Sequence, residues 1–197
     1  MPARASADPS SPWATLDRVE SQAPAALRSW LAEPGLLTAR IRALCGERMR
    51  FRMLGPLRST RLYDELQVRL DLYGERCLLR EIEFCCLGER VVYAQTVLPD
   101  STVRAHPWLR ELGDSPIGES LRRAGESLDR EPLEYAALPP DSALALAASD
   151  ASPDAQRATL WARRAVYRLA GRPILVQEVF LPALLRVQDE TNDGGAK

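Results

Sequence analysis

Cys77-Leu78-Leu79-Arg80-Glu81-Ile82-Glu83-Phe84-Cys85-Cys86, then Leu87-Gly88-Glu89, then Arg90-Val91-Val92-Tyr93-Ala94-Gln95-Thr96-Val97-Leu98-Pro99, reads as two strands joined by a short turn. Aliphatic, β-branched and aromatic residues fill both arms, Gly88 permits the reversal, and Pro99 closes the second arm. A similar pair lies near the C-terminus, where residues 161–170 and 174–181 flank Gly171-Arg172-Pro173 and Pro182 ends the run. Hairpins supply antiparallel pairing and helical patterns lie between them. The expected class is therefore α+β, with a mainly antiparallel sheet.

Two ionisable residues stand in these strands where alternation calls for apolar ones. Residues two apart share a face, so Arg80 stands with Leu78, Ile82, Phe84 and Cys86, and Glu178 with Ile174, Val176 and Phe180. Desolvating a lone charge is costly, so each needs a partner. They could pair with each other, reach other groups at a sheet edge, or serve a ligand. In the last case a guanidinium fork opposite a carboxylate, in an apolar chamber, would grip an organic acid at one end and handle a proton at the other, without a metal.

Composition permits each of these. The 197 residues, 46% apolar and 27% charged, suit one globular domain with a substantial core. A net charge of −1, with arginines alternating with acids and Lys197 the sole lysine, offers no basic stripe for nucleic acid. Cys45, Cys77, Cys85 and Cys86 contain no C-x-x-C, and His106 is the sole histidine, so no zinc set is visible. The cysteines read as small buried hydrophobes, which suits a reducing cytoplasm. Residues 1–12 lack a signal-type apolar run and nothing later is long enough to span a membrane, so a soluble, unexported protein without a membrane partner is expected. No G-x-S-x-G elbow is present, and carboxylates and arginines must carry any chemistry.

Residues 1–20 read as a flexible N-terminal segment and 21–187 as one domain. A helical hairpin is expected over 25–30 and 36–45, broken at Pro34-Gly35. Residues 48–54 alternate strictly, with Met49, Phe51 and Met53 inward, while 62–72 read as a short helix or irregular arm. Short helices are expected over 107–112 and 117–123. Ser115 would cap the second, with Pro116 at its first position and free N–H groups able to face an acidic ligand. Residues 132–135 read as a strand, 139–156 as a weakly helical, mobile insertion, and 188–197 as a disordered tail.

The segments Trp30-Leu31, Gly35-Leu36-Leu37-Thr38, Leu79-Arg80-Glu81-Ile82, Ala94-Gln95-Thr96-Val97-Leu98-Pro99, Leu112-Gly113, Pro116-Ile117-Gly118 and Gly171-Arg172-Pro173-Ile174 occur in that order, followed by Glu178-Val179-Phe180-Leu181-Pro182. In order and spacing the chain resembles the chorismate pyruvate-lyases over residues 24–185. The resemblance implies a mainly antiparallel sheet with helical flaps over an internal pocket. It implies conversion of chorismate to 4-hydroxybenzoate and pyruvate, the first committed step toward ubiquinone in many bacteria, with no cofactor or metal, by a monomer. Position by position, Arg80 matches the arginine that grips the ring carboxylate, and Glu178 the carboxylate near the 4-oxygen. Leu37 and Ile117 match apolar contacts from the flaps. Glu178 would donate a proton to the departing ether oxygen or act as an electrostatic partner, and apolar surroundings would favour the donor form.

Gln95 departs from the pattern, because the family usually has arginine there. If that arginine helps hold a substrate carboxylate, its loss bears on activity or on the choice among related cyclohexadiene acids. The alternative function is a non-catalytic aromatic-acid-binding protein, since the effector-sensing domains of many bacterial transcription regulators resemble these lyases in fold. Such regulators carry a helix-turn-helix ahead of the sensor, and the roughly 20 residues before the first helix here are too few for one.

Overall fold

The two hairpins form as expected and become the middle of an eight-stranded antiparallel sheet in the computed structural model, which describes residues 11–150, 155–156 and 158–194. In chain order the strands are β1 (Met49–Met53), β2 (Arg58–Arg61), β3 (Arg76–Cys86), β4 (Glu89–Pro99), β5 (Leu128–Arg130), β6 (Glu134–Leu138), β7 (Leu160–Leu169) and β8 (Arg172–Phe180). They lie in the order β1-β3-β4-β8-β7-β5, with β2 also pairing β3 and β6 also pairing β7. The β3–β4 turn places Leu87 and Gly88 at φ 56° and 87°, and the β7–β8 turn places Ala170 and Gly171 at 47° and 79°. Two successive left-handed residues match the right-handed twist of a hairpin, and glycine carries the second at no steric cost.

The helices are α1 (Leu16–Val19), α2 (Ala25–Leu31), α3 (Leu37–Cys45), α4 (Asp64–Leu70), α5 (Asp100–Ala105), α6 (Ile117–Arg123), α7 (Ala143–Ser149) and α8 (Ala183–Gly194), with a 3₁₀ turn over Pro107–Glu111. One sheet face carries two apolar clusters. In the first, Ile82, Phe84, Val92, Trp161 and Phe180 pack under Leu31, Leu37 and Ile41 of α2 and α3 and Leu184 and Val187 of α8. In the second, Leu78, Leu98 and Ile174 pack under Leu109, Ile117 and Leu121. The other face is covered at one end by Trp13 and α7, over Tyr93, Ala162 and Val179, and at the other by α4, over Val97, Val166 and Leu175. A polar row crosses that second face between its clusters: Glu81, Gln95, Gln177, Arg164 and Glu134 are successive register partners on β3, β4, β8, β7 and β6.

Several expectations are corrected. Cys45 and Cys86 are bonded as a disulfide with Cα atoms 5.5 Å apart, so only Cys77 and Cys85 are free, and the end of α3 is tied to the end of β3. Strand parity points Cys86 to the face that α3 covers, and that docking is not encoded locally. The tail is helical to Gly194 rather than disordered from Gln188, because Leu184 and Val187 bury against the sheet and Gln188 Oε1 accepts from Trp30 Nε1 at 2.5 Å. Within the segment read as weakly structured, α7 is capped by Ser142 and buries Leu144, Ala145 and Ala148, while residues 151–154 lie outside the description. Within the segment read as flexible, residues 1–10 likewise lie outside the description, but Trp13 is buried and Ala14 bridges to Tyr135. Among the described residues no helix is long and apolar enough to cross a membrane.

Candidate functional site

Between the two apolar clusters of the first face, the sheet turns polar and a cavity opens. Register builds it from two neighbouring cross-strand rows. One runs Arg80, Thr96, Val176, Ala165; the other runs Ile82, Ala94, Glu178, Arg163. The cavity is lined from the sheet by Ile82, Phe84, Ala94, Thr96, Arg163, Ala165, Tyr167, Val176 and Glu178, and from the helices by Leu36, Leu37 and Thr38 of the α3 start and Pro116, Ile117 and Gly118 of the α6 start. The two helix starts meet above it: a Cβ on Gly118 would fall 2.5 Å from Leu36 Cδ2, so the absence of a side chain permits the approach.

Arg80 is buried directly beside this cavity, opposite Thr96 and one face-step from Ile82, although its own side chain is not part of the lining. Its Nη2 donates to the carbonyl oxygens of Gly113 and Ser115, each at 2.7 Å, which fixes the segment that enters α6. Ser115 thus serves through its carbonyl and not as the expected side-chain cap, and Pro116 occupies the cap position. Arg80 Nε and Nη1 are buried without a hydrogen-bond partner. Burial pulls the guanidinium down to about 10, against a smaller opposing pull from Asp114. The ring of Phe51 stands 5.5 Å from its central carbon. A buried fork with two unused donor nitrogens is disposed to bind an anion.

Glu178 does not pair with Arg80. Its Oε2 accepts from Arg163 Nε at 2.6 Å, directly across the β7–β8 ladder, and Arg163 Nη1 donates to the Glu33 carbonyl at 2.6 Å. The carboxylate is therefore held as one half of an ion pair and still lines the cavity, in place of the isolated acid in apolar surroundings that sequence suggested. Tyr167 stands four residues along from Arg163 on the same face; burial raises its phenol, Glu178 adds to the rise, and the positive charge of Arg130 opposes it.

All four residues singled out in sequence meet here: Leu37 and Ile117 are buried first residues of α3 and α6, and Arg80 and Glu178 stand on one face. Arg163 was missed, although the same signal was present, since tandem Arg163-Arg164 in an apolar strand must send one arginine to each face. Arg130, which lines the cavity from β5, carried no such signal. Gln95 stands on the opposite face, where its Oε1 accepts from Gln177 at 3.1 Å and its amide approaches the Tyr93 hydroxyl at 3.4 Å. The departure at this position removes no charge from the cavity.

Comparison with known proteins bears on the family and the fold. The family model described as chorismate lyase matches residues 9–189. A protein of Azoarcus sp. (strain BH72) named probable chorismate pyruvate-lyase is 39% identical over 173 residues, covering 83% of this chain and 88% of its own. A protein of Methylococcus capsulatus (strain ATCC 33009 / NCIMB 11132 / Bath) with the same name is 37% identical over 171 residues, covering 83% and 99%. Among solved structures, PhnF from Mycobacterium smegmatis aligns with a TM-score of 0.55 at 16% identity, over 77% of this chain and 66% of that one. A GntR-family transcriptional regulator from Bacillus cereus aligns with a TM-score of 0.50 at 10% identity, over 70% and 94%. These two likenesses concern the fold alone. The family match and the identity to the lyases extend over most of the chain, and on that ground it belongs to the chorismate lyase family.

Proposed function

We propose that the protein is a chorismate pyruvate-lyase that releases 4-hydroxybenzoate and pyruvate, in the service of ubiquinone synthesis, and that it acts as a monomer. The observation that carries this reading is Arg80: a buried guanidinium with two unpartnered nitrogens, beside a cavity whose wall contains apolar side chains and a carboxylate. Arg80 binds the ring carboxylate in a desolvated setting, where a charge-assisted pair is strong. Leu37 and Ile117 close the ring from above. Glu178 lies near the 4-oxygen and steadies the charge that develops as the ether breaks. The reaction cleaves the bond between ring C3 and the ether oxygen and removes the hydrogen from C4. The electrons complete the aromatic ring, and the enolpyruvate takes up a proton at its methylene to become pyruvate. Aromatisation drives the step, so the protein chiefly fixes geometry and charge.

Held by Arg163, Glu178 suits the electrostatic role better than that of proton donor. The test is incubation of purified protein with chorismate, following 4-hydroxybenzoate by chromatography and pyruvate by a coupled assay, with Glu178→Gln alongside. Equimolar products are expected, with kcat lower by about a hundredfold in the variant, the scale of losing one electrostatic stabiliser. Tight binding of 4-hydroxybenzoate without turnover would instead establish a binding protein on the same fold.

A further inference from the structure

The cavity contains a cation to which the lyase reaction, as described, gives no task. Arg130 lines it from β5, in register with Tyr167 of β7, whose phenol its charge pulls down against the effect of burial. Its Nη1 donates to the Pro34 carbonyl at 3.0 Å, just ahead of α3. Arg163 is already committed to Glu178 and to the Glu33 carbonyl, whereas Arg130 forms no ion pair among the described residues. The two ends of the site differ in exposure: Arg80 is 1% exposed, while Arg130 stands in contact with solvent. Along the strand order β3-β4-β8-β7-β5, Arg80 and Arg130 occupy the two ends and Glu178 lies between them. Four strand steps separate their backbones by roughly 19 Å along the sheet. Two arginine side chains directed toward a shared ligand would shorten that to the length of a small molecule.

Chorismate is a dianion, with one carboxylate on the ring and one on the enolpyruvyl arm, whereas 4-hydroxybenzoate retains only the first. We propose that Arg130, in register with Tyr167 and held by the Pro34 carbonyl, binds the enolpyruvyl carboxylate at the mouth of the cavity and so makes the site selective for a dianion. This rests on the lyase reading for the identity of the substrate. Bond cleavage then divides the charges between the two ends. Pyruvate is left on the exposed arginine and departs first, and the aromatic acid stays on the buried one.

The test compares chorismate with 4-hydroxybenzoate as ligands of Glu178→Gln protein, with and without Arg130→Ala, by equilibrium titration. Arg130→Ala is expected to weaken chorismate about tenfold or more, to leave 4-hydroxybenzoate within about twofold, and to be partly rescued by Arg130→Lys. Equal weakening of both ligands would mean that Arg130 acts only by bracing Pro34, and an unchanged chorismate affinity would mean that it binds nothing; either overturns the proposal. The affinity ratio is read whether or not the wild-type protein turns chorismate over, so failure of the lyase reading is seen separately, in the product assay. Protein that binds 4-hydroxybenzoate but not chorismate would overturn both.

Discussion

Arg80 carries opposing demands at the scale of a single residue. Its two hydrogen bonds to carbonyl oxygens hold the α6 entrance, yet Nε and Nη1 remain desolvated and unsatisfied, so the free protein bears a cost that an anionic ligand would relieve. Arg80→Met is expected to be within about 1 kcal/mol of wild type in stability without ligand, because the lost hydrogen bonds and the lost desolvation oppose each other. 4-Hydroxybenzoate should then raise the Tm of wild type but not that of the variant, as measured by thermal unfolding with and without the acid. Arg80 and Glu178 were legible in sequence as out-of-place charges, each on the apolar side of its own strand. Their partners were not, because a partner on another strand depends on register. Glu178 meets Arg163 only because β7 and β8 align those two residues across the ladder.

At the scale of elements, the flap helices have no independent hold on the sheet beyond their apolar faces and a few specific ties. The Cys45–Cys86 disulfide is the strongest, closing a chain separation of 41 residues between α3 and β3. Cys45→Ser is expected to lower the unfolding free energy by roughly 2–4 kcal/mol, the scale expected for opening a loop of that length. Urea denaturation of the variant and of wild type with and without dithiothreitol checks this: reduced wild type should fall to the variant's midpoint, and reductant should not move the variant. The hairpins themselves were readable because apolar alternation and a glycine at the turn are local signals. The disulfide was not, since nothing near Cys45 announces which strand its helix covers. Helices α7 and α8 were hidden for a related reason: α7, at seven residues, is too short to persist on the propensity of its Ala and Leu alone, α8 is only weakly apolar, and both depend on burial against the sheet.

For the whole molecule, each sheet face has apolar clusters at its two ends and a polar belt between them, but the belts differ in satisfaction. On the face away from the cavity Arg164 donates to Glu134 at 2.7 Å, Arg69 donates to the same oxygen at 2.9 Å, and Trp13 stacks over Arg164 with its ring 4.2 Å away. Burial pushes the Glu134 carboxyl up, but Arg164 and Arg69 outweigh it and hold it below its ordinary value. A depressed folded-state value stabilises fully above the unfolded value of about 4.3 and ceases to do so as pH falls through the folded one. Glu134→Gln should therefore cost about 1–2 kcal/mol at pH 7, with the difference from wild type shrinking on acidification below pH about 4; denaturant titrations at several pH values check it. The belt beside the cavity keeps two donor nitrogens of Arg80 unpaired. Sequence by itself determined the α+β class, the two hairpins and the placing of Arg80 and Glu178 on the apolar sides of their strands, because alternation and turn chemistry act over a few residues. Only the tertiary structure decided that these two charges do not pair, that Gln95 lies on the far face from the cavity, and that Arg163 and Arg130 join it. Those outcomes depend on strand order and register, which long-range packing sets and no local stretch of chain encodes.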